Sequence, residues 1–191
     1  MARFSAALLA GLLTLAPPVS WLDQASPVGW NRPGLAVPDA PDPGGESAMS
    51  ERCRTVARAP TLDGDRAVHA KGWTLFGPGQ VFGGTEVLLA TAGVDGMCRP
   101  VAFQGFVFSQ GRLAGIISPH VMSSRTDGAA LLVQLRSEDR LDVEFARYAS
   151  SDPLCCPSRV TTVSFRVERT ANGPVLTPTE ARTSAAKLGR P

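Results

Sequence analysis

Four cysteines and two histidines carry most of the chain's capacity for nucleophilic or metal chemistry. His120 sits in a loop-forming stretch with Ser118, Met122, Ser123, Arg125 and Asp127 around it. A nucleophile, a base and an orienting acid in contact would make a hydrolase. Ser118 or Ser123 with His120 and Asp127 supplies those types, although sequence neighbours seldom take that geometry. His69 falls on a short helical pattern and reads as a surface or cap-side residue. Sulfur and imidazole ligands suit copper or zinc. Met97, Cys98, Cys155, Cys156, His120 and Met122 are the candidates, yet their spacing matches no zinc pattern. Disulfide formation would also consume every thiolate. The expectation is therefore no metal, no cofactor and no catalytic residue.

The cysteines are Cys53, Cys98, Cys155 and Cys156. Four allow three pairings. A Cys53–Cys98 bridge would close a loop of about 45 residues and contribute roughly 4 kcal/mol in the chain-entropy account. That pairing leaves a vicinal bridge between Cys155 and Cys156. Adjacent Cα atoms lie about 3.8 Å apart, below the usual disulfide range of roughly 4.4–6.8 Å, so such a bridge is strained. The alternative joins each member of the doublet to a distant cysteine. A strained vicinal pair has a raised reduction potential and can serve as a thiol-redox switch; the plainer role is to lock a sharp loop before a long strand.

The elements that must position these groups follow from the pattern. Residues 1–25 read as a signal peptide: Arg3, then a mostly apolar run from Phe4 to Ala16, too short to span a bilayer. The cut is expected between Ala16 and Ser26. Membrane contact would come only through this segment if it stays uncleaved. Residues 26–50 are rich in proline and glycine and read as an extended arm, either a spacer or a strap docked through Trp30, with Leu35 its other large side chain. The folded part is expected over 51–176, with a disordered or weakly helical tail over 177–191.

Within the folded part, Asp63 to Lys71 forms a short helix pattern, with Asp63 as the cap and Gly72 beyond its end. Strand patterns follow at 73–76, 86–91, 101–109, 112–118, 131–136, 141–146 and 161–168. Gln110-Gly111 and Ala171-Asn172-Gly173 mark turns, and the glycines at 77, 79, 83 and 84 mark a loop. Leu141, Val143 and Phe145 alternate with polar neighbours, as do Thr161, Val163, Phe165 and Val167. Such alternation buries one face and wets the other. The fold class is α+β, mostly β: an antiparallel β-meander with one short N-terminal helix. Phe103, Val107, Ile116, Val133, Val143, Phe145, Val163 and Phe165 are the predicted core. Asp142 or Glu144 is expected opposite Arg166.

The segment DPLCCPS before the strand VTTVSFRVER resembles the LppP/LprE family of small bacterial envelope proteins. The hairpin AFQGFVFSQGRLAGIISP and its entry GVDGMCRP are similar to that family as well. Many members are lipoproteins, but no cysteine follows the leader here, so lipid anchoring does not carry over. The resemblance implies an exported domain and supplies no catalytic residues.

Other function classes lack support. G-x-S-x-G, C-x-x-C and phosphate-binding glycine motifs are absent. A net charge of +2, with acids interspersed among the arginines, argues against nucleic acid. The sequence reads as a periplasmic or secreted module, stapled by disulfides, whose partner is an envelope component or another protein.

Overall fold

The structure is a computed structural model that describes residues 20–44 and 51–186. The apolar run assigned to the leader, and the ends of the arm and tail, lie outside the described residues. The elements are α1 (Asp63–His69), β1 (Thr74–Phe82), β2 (Thr85–Val94), β3 (Pro100–Ser109), β4 (Arg112–Ile116), β5 (Ala130–Ser137), β6 (Arg140–Arg147), β7 (Arg159–Thr170) and β8 (Gly173–Ala185). All neighbouring strands are antiparallel, and they form two sheets in order β1-β2-β3-β4 and β5-β6-β7-β8. The meander is thus broken once, by the long crossing between β4 and β5.

The two sheets face each other across one core. Phe103 and Val107 from the first sheet meet Val133, Val143, Phe145, Val163 and Phe165 from the second. Ile116 departs from the predicted core: it is half-buried and packs against a second cluster on the outer face of the first sheet. That cluster holds Val68 of α1 with Trp73, Leu75, Leu88, Phe106 and Phe108. β3 therefore alternates between two apolar layers, which explains why FQGFVF reads as continuously hydrophobic. The second sheet has one wet face, and its alternation is correspondingly clean.

The edges are laced by side chains. Gln80 Nε2 donates to the Val133 carbonyl at 2.7 Å, and Gln80 Oε1 accepts from Leu135 N–H at 2.8 Å, joining β1 to β5. Gly77-Pro78-Gly79, expected in a loop, lie within β1 itself, at the irregularity where the register shifts between Phe76 and Gln80. Of the glycines at 77, 79, 83 and 84, only Gly83 and Gly84 make a hairpin turn.

Four local expectations are corrected. The helix cap is not Asp63: the Asp65 carboxylate reaches back to the Thr61 and Leu62 N–H groups, each at 3.0 Å. The register places Arg166 opposite Arg140, while Asp142 faces Ser164 and binds Arg136 at 3.0 Å. Residues 177–185 are neither frayed nor helical but complete β8 against β7. Finally, residues 20–25, at the end of the stretch assigned to the leader, belong to the folded body. Trp21–Asp23 form a 3-10 turn, and Leu22 is buried in the main core.

The proline-rich arm is a strap. Trp30 Nε1 donates to the Ile116 carbonyl at 2.9 Å. Further along, Pro38 accepts from Trp73 Nε1 at 2.8 Å, and Ala40 N–H donates to the Lys71 carbonyl at 2.8 Å. The strap crosses the β4–β8 seam and then covers the α1 end.

Candidate functional site

The loop between β4 and β5 and the 3-10 turn at Trp21–Asp23 form a trough of about 400 Å³ at one end of the sandwich. Ser118, His120, Met122 and Asp127 line it, facing Trp21 and Leu22. Several bonds fix the loop. Met122 and Phe103 exchange backbone hydrogen bonds at 2.7 and 2.8 Å. The buried Gln104 amide donates to the Ser118 carbonyl at 3.0 Å and the His120 carbonyl at 3.3 Å. Gly128 N–H donates to the Ala146 carbonyl, and Ala146 N–H donates to that of Ala129.

These contacts gather the histidine and serine of the sequence-predicted site but do not make a triad. The Ser118 hydroxyl accepts from the backbone N–H of His120 at 3.3 Å, and Ser123 Oγ accepts from Ala102 N–H at 3.3 Å. Asp127 Oδ1 accepts from Tyr148 N–H at 2.8 Å and from Arg147 Nε at 3.3 Å. The imidazole of His120 is exposed and makes no hydrogen bond to any of them. With Asp127 bound to arginine and neither serine hydroxyl bonded to the His120 ring, these side chains are not arranged as a triad.

Arg147 is the buried cation beneath this end. Its side chain is 9% exposed and also reaches Asp23 Oδ1 at 2.7 Å and Thr161 Oγ1 at 3.4 Å. One guanidinium thus ties the N-terminal turn, the trough loop and β7 together. Sequence reasoning missed this role and the Trp21 wall, because Trp21-Leu22-Asp23 follows an apolar run and reads as its continuation. The available signal was Ser20, a good cap residue, directly before Trp21.

The other candidates are scattered. Met122 is buried in the core, whereas Met97 is exposed on the turn that carries Cys98. His69 Nδ1 lies 3.2 Å from the Trp73 carbonyl at the helix end. Among the described residues, no three His, Cys, Asp or Glu side chains are grouped to hold a metal ion.

Cys53 and Cys98 are bridged, and Cys53 is fully buried. The Asp95 carboxylate shapes the turn by accepting from Met97 N–H at 2.8 Å and Arg99 N–H at 3.0 Å, which lets Cys98 take φ 63°. Burial would raise the Asp95 pKa, but the Arg99 and Met97 hydrogen bonds outweigh it and hold the carboxyl below its ordinary value. Cys155 and Cys156 are bridged to each other on an exposed loop.

The fold defines a small, two-sheet antiparallel β domain with a buried disulfide staple and an end-on trough. Residues 84–170, from the first hairpin turn to the end of β7, match the family described as LppP/LprE lipoprotein. No curated protein and no solved structure matches the chain. The lipoprotein family points to an envelope-associated protein of unknown role. Among the described residues, no helix is long and apolar enough to cross a membrane.

Proposed function

We propose that this is an exported, non-catalytic protein of the bacterial envelope, periplasmic or secreted, that binds an envelope component or another protein at the trough. The observation that carries the reading is the make-up of that trough. Ligand sites are usually concave, with a few placed polar groups that fix orientation. The lining of this trough is more polar than apolar, with Ser20, Gln24, His120 and Asp127 around it, and Trp21 and the half-exposed Val121 add apolar anchors. The hydroxyls and the acid that hydrolysis would need are engaged elsewhere. The leader-like N-terminus and the lipoprotein family support export.

The test is site-specific photo-crosslinking in envelope extract. A crosslinker at Val121 is expected to capture one discrete species. The same group at Arg166, exposed on the wet face of β7, is expected to leave that species uncaptured. Equal capture from both positions, or none from Val121, removes the reading.

A further inference from the structure

The two disulfides differ in every property that decides whether a bridge is a staple. Cys53–Cys98 joins residues 45 apart in sequence and is buried at Cys53. Cys155–Cys156 joins neighbours, and both residues are exposed. A disulfide stabilises mainly by closing a loop in the unfolded chain. A bridge between adjacent residues closes none, so that source of stability is missing.

The loop around the doublet is held without it. Asp152 Oδ2 accepts from Ala149 N–H at 2.7 Å and from Ser158 N–H at 2.8 Å, pinning both ends. Tyr148 Oη donates to the Leu154 carbonyl at 3.0 Å across the loop. Cys156 N–H donates to the Pro153 carbonyl at 2.9 Å. The end of β8 adds a further clamp, since Ala186 N–H donates to the Ser158 carbonyl at 2.9 Å. Beside the sulfurs, Leu154 is 71% exposed and offers apolar contact to an approaching molecule.

We infer that the Cys155–Cys156 bridge is a thiol-exchange site that accepts two electrons from a dithiol donor while the fold stays intact. A donor thiolate attacks one sulfur of the bridge, forming a mixed disulfide and releasing the other sulfur as a thiolate. The donor's second thiol then attacks its own bridged sulfur. This closes the donor's disulfide and frees the second cysteine. Two electrons and two protons pass from donor to chain, so the donor is oxidised and the doublet becomes a dithiol. Access governs such exchange, and here both sulfur-bearing residues face solvent. The site lies on the β6–β7 loop, and its chemistry is independent of what the trough binds.

The experiment uses the purified protein in buffers of graded reduced-to-oxidised dithiothreitol ratio, with alkylation and peptide mapping at each step. The peptide bearing Cys155 and Cys156 is expected to take up two alkyl groups at a ratio at least about tenfold below that which opens Cys53–Cys98. Near-ultraviolet circular dichroism and the melting temperature should stay unchanged across that window. Simultaneous opening of both bridges, opening only with loss of structure, or isolation of the doublet as thiols from oxidising buffer overturns the inference. A second measurement uses Cys155→Ser with Cys156→Ser. An unchanged melting temperature supports the inference; a clear fall, or failure to fold, makes the bridge structural and overturns it.

Discussion

The side-chain amide of Asn31 and the backbone of Ile116 hold each other in both directions. Asn31 Nδ2 donates to the Ile116 carbonyl at 3.1 Å, and Ile116 N–H donates to Asn31 Oδ1 at 2.9 Å. The same Nδ2 donates to the Leu176 carbonyl at 2.9 Å. One buried amide from the strap therefore joins β4 to β8 where the two sheets meet. Gly115 makes room for it, since a Cβ there would lie 2.3 Å from Asn31 Cγ. Asn31→Ala leaves the Ile116 N–H and the Leu176 carbonyl without this partner, at a cost of about 1–3 kcal/mol. The expected result is a lower urea midpoint with an unchanged slope. Asn31→Asp is expected to cost more at neutral pH, because a carboxylate would face two carbonyl oxygens. If both variants match the parent midpoint, the strap adds nothing to the seam.

Asp65 makes the acid stability of the α1 end predictable. Burial alone would raise its pKa, but hydrogen bonds from Arg58, Thr61 and Leu62 outweigh that and lower it to about 2. The Arg58 contact is bidentate, with both bonds at 2.6 Å, and the Asp65 side chain is fully buried. A folded-state pKa below the unfolded value of 3.8 gives stability that is complete above about pH 4 and is lost as pH falls toward 2. The contribution is about 2 kcal/mol, by order of magnitude. Asp65→Asn is expected to lower stability at pH 6 and to flatten the acid limb. Denaturation midpoints between pH 2 and 6 provide the check, and an equally steep limb in the variant would refute the assignment.

The N-terminal turn yields a boundary prediction. Trp21 packs edge-on against Trp30 and Phe145, with ring centroids at 4.8 and 5.1 Å. Leu22 is buried, and Asp23 binds Arg147. A chain beginning at Ser20 is expected to melt like the longer protein. One beginning at Ser26 should lose at least about 3 kcal/mol, the usual scale for deleting large buried side chains. Equal melting temperatures would show that the turn is dispensable.

Much of the second sheet was legible because its two faces see different surroundings. Val143 and Phe145 go to the core while Asp142 and Glu144 lie on the other face, so the period of two survives in the sequence. β8 hid for the opposite reason. Its second half, from Pro178 to Ala185, lies largely beyond the main core, so its threonines, Glu180 and Arg182 carry no apolar period. Pro178 also falls where the β7–β8 register shifts, which is where a strand tolerates proline. The trough was half legible. Ser118, His120 and Asp127 share one loop, but Trp21 reaches it only through the fold, and Arg147 hides within a strand pattern. Loop length speaks for a Cys53–Cys98 bridge in the sequence, whereas the Asp95 side-chain bonds that shape the turn carrying Cys98 leave no pattern there.

That staple supports the last prediction. Cys53 lies in a 3-10 turn before α1, and Cys98 lies in the turn between β2 and β3. Their bridge fastens the segment entering α1 to the first sheet. Around this staple, Ala57 makes an isolated bridge to Phe76, and Arg58 N–H donates to the Leu75 carbonyl at 2.9 Å. Replacing both cysteines by alanine removes the loop-closure term for 45 residues of separation, about 4 kcal/mol in the chain-entropy account. The loss should appear mostly as a less compact unfolded state restored to full freedom, so the urea slope is expected to rise as the midpoint falls. If the alanine variant keeps both the midpoint and the slope of the parent, the staple constrains nothing and the segment entering α1 is held by its backbone bonds to β1 alone.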